Sequence, residues 1–392
     1  MKNYKLYIKI IFLIPIILLF FIIRIFKDFR INKIISKKIG HMATPMEIFI
    51  CEKKENPKKI PVIWFFDKTI ANQFLKKKWS QMLFILPRFI LEPIYILFKR
   101  YNLFHFFFED FSKDNELVKR HIKDGVKQID DKNVLLKHKP SIEFTNKEIN
   151  EGENYLKKIG FNNRNFFAFA SRTSEFHNEK NESVRNSNIN NKIQGIKFLV
   201  SKGYKAIRIG KNIKKKINFN DPNILDYATS NDRSDFLDIY LISKCEFLVS
   251  ASTGVSSIAA LFRKPSLIIN ETHLHDLIAH PNRVMLLLKK YKNQNTGKII
   301  SFEEVYKKKL DSINSVLEIN ELGYDIIDNN EFEIKKALEN FHYTINNNQI
   351  LEEILHKQKN FWQNVEKYFG FKNKYKTIIC PDFYLNNIDL FE

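Results

Sequence analysis

The sequence predicts an α/β protein built on a doubly wound parallel sheet. Residues 244–270 read as a strand, a small-residue turn, a helix and a second strand. Strand–helix alternation of the same kind runs back to residue 166, and each candidate strand ends in a polar or basic cluster. Together these features suit a parallel sheet whose strand ends converge on a ligand. Cys245 to Val249 is apolar except for Glu246, and Leu267 to Ile269 is a short apolar run; both lengths fit inner strands. Between them Ser250, Ser252, Thr253 and Gly254 open a helix with Val255, Ile258, Ala259 and Phe262 on its apolar face. Arg263, Lys264 and Pro265 close it. Such a helix aims unpaired N–H groups and a partial positive charge beyond the sheet edge, where a phosphate can sit.

The remaining elements follow in chain order. Ile10 to Ile23 is uninterrupted and apolar, with Lys2, Lys5 and Lys9 before it and Arg24, Lys27, Arg30, Lys33, Lys37 and Lys38 after it. Residues 1–33 are therefore expected to be a membrane-anchor helix with a basic continuation, spanning the bilayer or dipping into it. The basic flank keeps the main body on the cytoplasmic face of an inner membrane. From residue 34 to 140 the expectation is a turn at Gly40 to Pro45, a helix over MEIFICEKK, a strand at Pro61 to Phe66 and a basic helix at Thr69 to Lys78. An aromatic stripe follows, from Tyr95 to Phe111, and reads as core. Gln128 to Pro140 is polar and reads as a linker. The 141–328 segment opens with a Thr145–Glu148 capping box on a helix that stops at Gly160. Phe166 to Ala170 and Tyr204 to Ile209 are strands, Ile193 to Lys202 a helix ended by Gly203, and Phe236 to Ile242 helical. Residues 329–392 form a carboxyl-terminal segment, helical and amphipathic over 329–370.

Composition narrows the classes. The chain has 392 residues, 44% hydrophobic and 28% charged, which describes a folded protein with room for two domains. Its formal charge of +20 favours anionic partners. The basic residues are scattered and carry no nucleic-acid-binding motif, so no nucleic acid is expected. Cys51, Cys245 and Cys380 make an odd set with no disulfide framework.

Chemistry-bearing residues gather at the strand ends. Ser171 and Arg172, then Glu175 and His177, follow the first strand. Arg208, Gly210 and Lys211 stand at the second, Ser250 to Gly254 at the third, and Asn270 to His275 at the fourth. An arginine beside a helix N-terminus suits a diphosphate. Asp235 and Asp238 are expected to pair with Arg233 or to cap the helix. His273, His275, Asp276 and His280 have spacing that could bind zinc, but read as a loop bordering the pocket.

SVRNSNINN (183–191), GYKAIRIGK (203–211) and RSDFLDIYLISKCEFLVSASTGVSSIAALFRKP (233–265) resemble blocks of a largely uncharacterised family of bacterial surface-polysaccharide glycosyltransferases. IGHMATPMEIFI (39–50) resembles its amino-terminal block. The resemblance covers most of residues 39–275. It implies a GT-B-like pair of facing Rossmann-like domains, with the acceptor on 34–140 and the nucleotide-sugar on 141–328. A more distant resemblance is to fucosyltransferase-like enzymes, whose strand ends in His-x-Arg; here Ala170-Ser171-Arg172 keeps the Arg and lacks the His.

On this reading Arg172 and the N–H groups around Ser252, Thr253 and Gly254 bind diphosphate, while Arg185, Asn186, Arg208 and Gly210 position the donor. The base is His41 or Glu175, with His177 in reserve. The expected partners are a nucleotide-sugar, a glycan or lipid-linked acceptor and the membrane; no cofactor or metal is expected. A polysaccharide pyruvyltransferase-like enzyme and a non-catalytic membrane-bound glycan or nucleotide scaffold are the alternatives.

Overall fold

The computed structural model describes residues 2–101, 122–123, 126–161, 165–173, 182–273, 283–345, 347–370 and 372–392, the side chains of 2–10, 122–123 and 283–284 excepted. Two compact units, Met1–Asp130 and Asp131–Glu392, divide it inside the polar 128–140 stretch.

Unit 1 begins with helix α1 (Lys2–Phe26), strand β1 (Arg30–Ile34), helix α2 (Ile39–Glu55) and strand β2 (Val62–Phe66). Helices α3 (Gln73–Met82) and α4 (Arg88–Arg100) follow, then the short strands β3 (Ile122–Lys123) and β4 (Val126–Lys127). β1 and β2 pair in parallel and β3 and β4 antiparallel. Among the described residues this falls short of the doubly wound sheet expected for 34–140. The core joins Phe20, Phe29, Ile31, Phe65, Leu91, Ile94, Tyr95 and Phe98.

The turn expected at 40–45 is instead the start of α2, with Pro45 inside the helix. Proline there removes one intrahelical hydrogen bond, yet every residue from Met42 to Glu52 is buried. Packing on all sides outweighs the local preference, and Trp79 Nε1 secures the Met42 carbonyl at 2.8 Å. The basic helix starts at Gln73 rather than Thr69, because the Asn72 side chain caps it by accepting from Leu75 N. The aromatic stripe beyond Tyr101 lies outside the described residues.

Among the described residues no helix is long and apolar enough to cross a membrane, so a spanning form of the expected anchor finds no support. α1 instead lies along unit 1, with Leu13, Ile16, Ile17 and Phe20 packed against the core.

Unit 2 holds helix α5 (Asn146–Lys158), β5 (Phe166–Phe169), α6 (Ile193–Ser201), β6 (Lys205–Arg208) and β7 (Ile224–Leu225). α7 (Asp235–Lys244), β8 (Leu248–Ser250), α8 (Gly254–Leu261), β9 (Ser266–Glu271) and β10 (Arg283–Leu288) come next. β11 (Lys290–Asn293) and β12 (Tyr324–Ile327) form an antiparallel pair. Last come α9 (Glu331–Thr344), α10 (Asn348–Lys357), α11 (Lys359–Phe369), β13 (Ile378–Ile379) and α12 (Pro381–Asn386).

Seven strands form one sheet in the order β13-β10-β9-β8-β5-β6-β7, and every pairing is parallel. Counted from β5, the order 3-2-1-4-5-6 is that of a doubly wound dinucleotide-binding sheet, extended at one edge by β13. Phe166 to Phe169 are all fully buried, as a central strand covered on both faces requires. Phe167 stacks on Phe247 with centroids 5.1 Å apart, and Phe247 meets Phe341 of α9 edge-on at 5.2 Å. Gly152 lets α5 approach α7: a Cβ there would lie 2.1 Å from the Tyr240 ring.

The Thr145–Glu148 capping box forms as expected. The expected helical stretch over 329–370 is three helices: Asn330 and Asn347 cap the first two, a break at Gln358 precedes the third, and Gly370, at φ +68°, ends it. β10 and β13 are not among the strands expected from the sequence.

Candidate functional site

In a doubly wound sheet the chain leaves the first strand in one direction and later returns to its other side. The crevice between those two strand ends is where ligands bind. Here the two strands are β5 and β8. Ala170 N donates to the Val249 carbonyl at 3.0 Å, so the segments that follow leave side by side. At the end of β8 Ser250 is buried, as are Ala251 and Ser252 after it, and Thr253 caps α8 by accepting from Val255 N at 3.3 Å. The Ser256 hydroxyl closes the same turn on the Thr253 carbonyl at 2.6 Å. A helix N-terminus thus opens on the switch point, as the small-residue pattern predicts.

The 182–192 segment is fastened over this edge. Val184 N donates to Asn314 O at 3.1 Å, and Ser187 N to Arg172 O at 3.1 Å. Arg172, Arg185 and Asn186 are half-buried and share this backbone neighbourhood. Beneath them Lys192 is fully buried, and its Nζ donates to Ser171 Oγ and Ser187 Oγ, both at 2.7 Å. Asn270, held at φ +56°, donates to the Ser187 hydroxyl at 3.2 Å and accepts from Asn329 N at 2.7 Å. Lys289, also buried, donates to Asn186 O at 3.0 Å and pairs with Asp328 at 2.5 Å. Burial pushes the Lys192 amine down to about 7; Asp328 opposes that shift, while Lys289 and Arg208 add to it. The result is a cluster of buried lysines and hydroxyls at the carboxyl edge of the parallel sheet.

The predicted residues fall into four groups. Arg172, Arg185, Asn186, Ser252, Thr253 and Gly254 lie at the carboxyl edge of the sheet, around the β5–β8 switch point. Arg208 is at the β6 end but is bound to Asp226 at 3.0 Å and to Lys215 O at 2.9 Å. Asp226 also accepts from Ile217 N at 2.9 Å, so Arg208 secures the 211–226 loop. Gly210 serves the same loop: a Cβ there would lie 2.8 Å from Ile213 Cγ1, and Arg233 Nε donates to its carbonyl at 3.2 Å. His41 belongs to unit 1, on the first turn of α2, with Nδ1 2.7 Å from Gln128 Oε1. Glu175 and His177 lie outside the described residues.

Asp238 pairs with Arg233 at 2.7 Å, and burial raises its carboxyl to about 6 against the pull of that arginine. The cap of α7 is Ser234, whose Oγ accepts from Leu237 N at 3.1 Å. His273 is buried with Nδ1 2.7 Å from Thr272 Oγ1 and Nε2 3.2 Å from Asn314 Oδ1, so protein atoms occupy both ring nitrogens. No cluster of metal-ligating side chains occurs among the described residues; His275, Asp276 and His280 lie outside them. The three cysteines are free and buried, and burial raises the Cys245 and Cys380 thiols to about 12. Such thiols are poor nucleophiles.

Sequence reasoning missed Lys192, Lys289 and Ser187; Asn270 entered only as part of the fourth strand-end cluster. With 64 Lys and Arg residues in the chain, no composition or spacing signal separates a buried lysine from a surface one. The one hint is that Lys192 directly follows the 183–191 block.

No family model and no curated protein matches the chain. Among solved structures it is similar to an ADP-heptose lipopolysaccharide heptosyltransferase II of E. coli, at 12% identity and a TM-score of 0.39, over 61% of this chain and 84% of that one. A glycosyl transferase family 9 protein of Veillonella parvula aligns at 9% identity and a TM-score of 0.38, over 62% and 80%. A Listeria monocytogenes protein named for the UDP-N-acetylglucosamine 2-epimerases aligns at 9% identity and 0.34, over 82% and 98%. Likenesses this weak leave the activity to be argued from the chain's own residues.

Proposed function

We propose that the chain is a glycosyltransferase of the GT-B type. It moves a sugar from a nucleotide-sugar to a glycan or lipid-linked acceptor in surface-polysaccharide synthesis, at the cytoplasmic face of the membrane and without a metal. The observation that supports this best is Lys192. It is a fully buried amine at the switch point, and among the described residues its two partners are hydroxyls and no carboxylate is in contact. A buried ammonium without a contacting counter-ion is costly unless an anion completes it. A nucleoside diphosphate lodged against the N-terminus of α8 would supply that anion, with Arg172 and Arg185 at its rim.

Fixed cations and helix N–H groups of this kind stabilise the negative charge that grows on a departing diphosphate. Arg172 would clamp the phosphates. Lys192 would hold Ser171 and Ser187 and place its charge behind them. His41, Glu175 and His177 remain the candidates for removing the acceptor proton.

The test is a thermal-shift series on the full chain with UDP-, GDP-, ADP- and CMP-linked sugars, with phosphoenolpyruvate as the contrast. A ligand present at about 100 times its Kd stabilises the folded state by about 2.7 kcal/mol. The expected outcome is a rise in Tm with one nucleotide class, absent in Arg172→Ala, whose own transition stays near wild type. A rise with phosphoenolpyruvate alone would move the reading to pyruvyl transfer. Nucleotide binding without transfer or hydrolysis would move it to a scaffold.

A further inference from the structure

Over Ile10 to Ile23 helix α1 is apolar around its whole circumference, yet among the described residues protein covers one of its faces. Leu13, Ile16, Ile17 and Phe20, at helical spacing, pack against Phe29, Ile31, Leu91 and Phe98. The opposite face carries Ile11, Leu18, Leu19, Ile22, Ile25 and Phe26, all exposed, Phe26 at 84% and Ile25 at 79%. On α4, the helix α1 packs against, Phe89 and Ile96 are exposed as well. A helix apolar on every side needs a second apolar medium, and soluble proteins rarely leave so continuous a face in water.

Charge identifies that medium. Residues 1–46 contain nine Lys or Arg and one acidic residue, Asp28. Asp28 is itself bound by Arg24 at 3.4 Å and Arg30 at 2.6 Å. Lys2, Lys5 and Lys9 belong to one end of the helix, and exposed Lys27, Lys37 and Lys38 follow the other. Apolar residues along the middle with cations at both ends match the acyl region and the anionic headgroups of a lipid surface. The packing of Leu13 to Phe20 sets the orientation: crossing the bilayer would require this face to leave the core of unit 1.

We propose that α1 docks unit 1 on an anionic lipid surface by lying in the membrane plane, its outer face among the acyl chains and its flanking lysines at the headgroups. The proposal stands on α1 alone and is independent of the donor site.

The experiment is flotation of the full chain with vesicles of phosphatidylcholine alone or mixed with phosphatidylglycerol, at low and high salt. The expected result is binding to the anionic vesicles, reduced about tenfold by high salt or neutral lipid. Leu18→Glu with Ile22→Glu should abolish binding and leave the thermal transition unchanged, since both side chains are exposed. Lys27→Glu with Lys37→Glu, which leaves the apolar face intact, should weaken binding in the same direction. Absence of binding by the wild type, with a dimer in solution that Ile22→Glu separates, would assign the face to a second copy of the chain. Resistance to alkaline carbonate, with residue 3 labelled only from the far side of the vesicle, would show a spanning helix. Either result overturns the proposal.

Discussion

Glu52 in unit 1 and Lys192 in unit 2 are both buried ions, and their partners differ in kind. The Glu52 carboxylate accepts from Lys59 at 2.5 Å and from Lys127 at 2.9 Å. Burial alone would raise its pKa, but Lys127 and Lys59 outweigh burial and hold it below the usual carboxylate range. Lys192 has hydroxyls where Glu52 has opposite charges, and burial prevails. A buried ion matched by its neighbours reads as framework, whereas one left to hydroxyls at a strand end is, on the function proposed above, a candidate place for a ligand.

The strongest way to break this contrast is Glu52→Gln. It takes the Glu52 carboxylate away from buried Lys127 and from Lys59 and should cost about 3–5 kcal/mol in urea unfolding. Because the folded pKa of Glu52 is depressed, its contribution is present above the unfolded carboxylate value of about 4.3. That contribution is lost as pH falls through the lower folded value, and this acid sensitivity should shrink in the variant. A cost under about 1 kcal/mol would remove Glu52 from the framework.

Lys192→Met should act in the opposite direction. Below pH 7 both folded and unfolded lysine carry the proton, and the fold bears the cost of burying it. As pH rises from about 7 towards 10.4, the folded amine releases its proton while the unfolded one keeps it, so wild-type stability rises across that window. The variant should therefore gain about 2–4 kcal/mol near pH 6 and much less near pH 9, read as Tm against pH. Nucleotide stabilisation should disappear in it. In wild type, calorimetry at pH 8 in buffers of different ionisation enthalpy should show proton uptake on nucleotide binding, because the incoming anion favours the ammonium. Destabilisation by Lys192→Met at every pH would make Lys192 a framework residue like Glu52.

The smallest effect calibrates the other two. Lys158 and Asp232 approach to 2.8 Å, but their side chains are 62% and 41% exposed. Lys158→Ala should change stability by less than about 0.5 kcal/mol, measured in the same urea series.

The legible parts of the chain were those governed by short-range rules. Thr145 and Glu148 form their capping box, Gly160 and Gly203 end helices at positive φ, and the buried runs at Phe166, Tyr204, Cys245 and Leu267 contribute β5, β6, β8 and β9. Thr253 caps α8 because its side chain reaches Val255 N within the same turn. The readings that failed depended on what lay across the fold. Pro45 suggested a turn, but a helix buried over Met42 to Glu52 continues through it. At Arg208 the sequence shows the strand end but not Asp226, the partner that the fold brings to its guanidinium.

Local patterning was thus enough, from the sequence by itself, to determine an α/β chain with a phosphate-suited turn at Ser252 to Gly254 and an apolar amino-terminal helix with basic flanks. Spacing along a chain encodes capping and periodicity. It does not encode the partner strand, the far side of a loop or the local dielectric. Tertiary structure alone decided that β5 and β8 flank the switch point and that β13 joins the sheet from the far end of the chain. It also decided that one lysine among many is sealed beneath Ser171 and Ser187, and that α1 is covered on one face and bare on the other. Burial and counter-charge are properties of neighbours in space, and the same side chain becomes solvent-exposed, structural or ligand-seeking according to which neighbours the fold supplies.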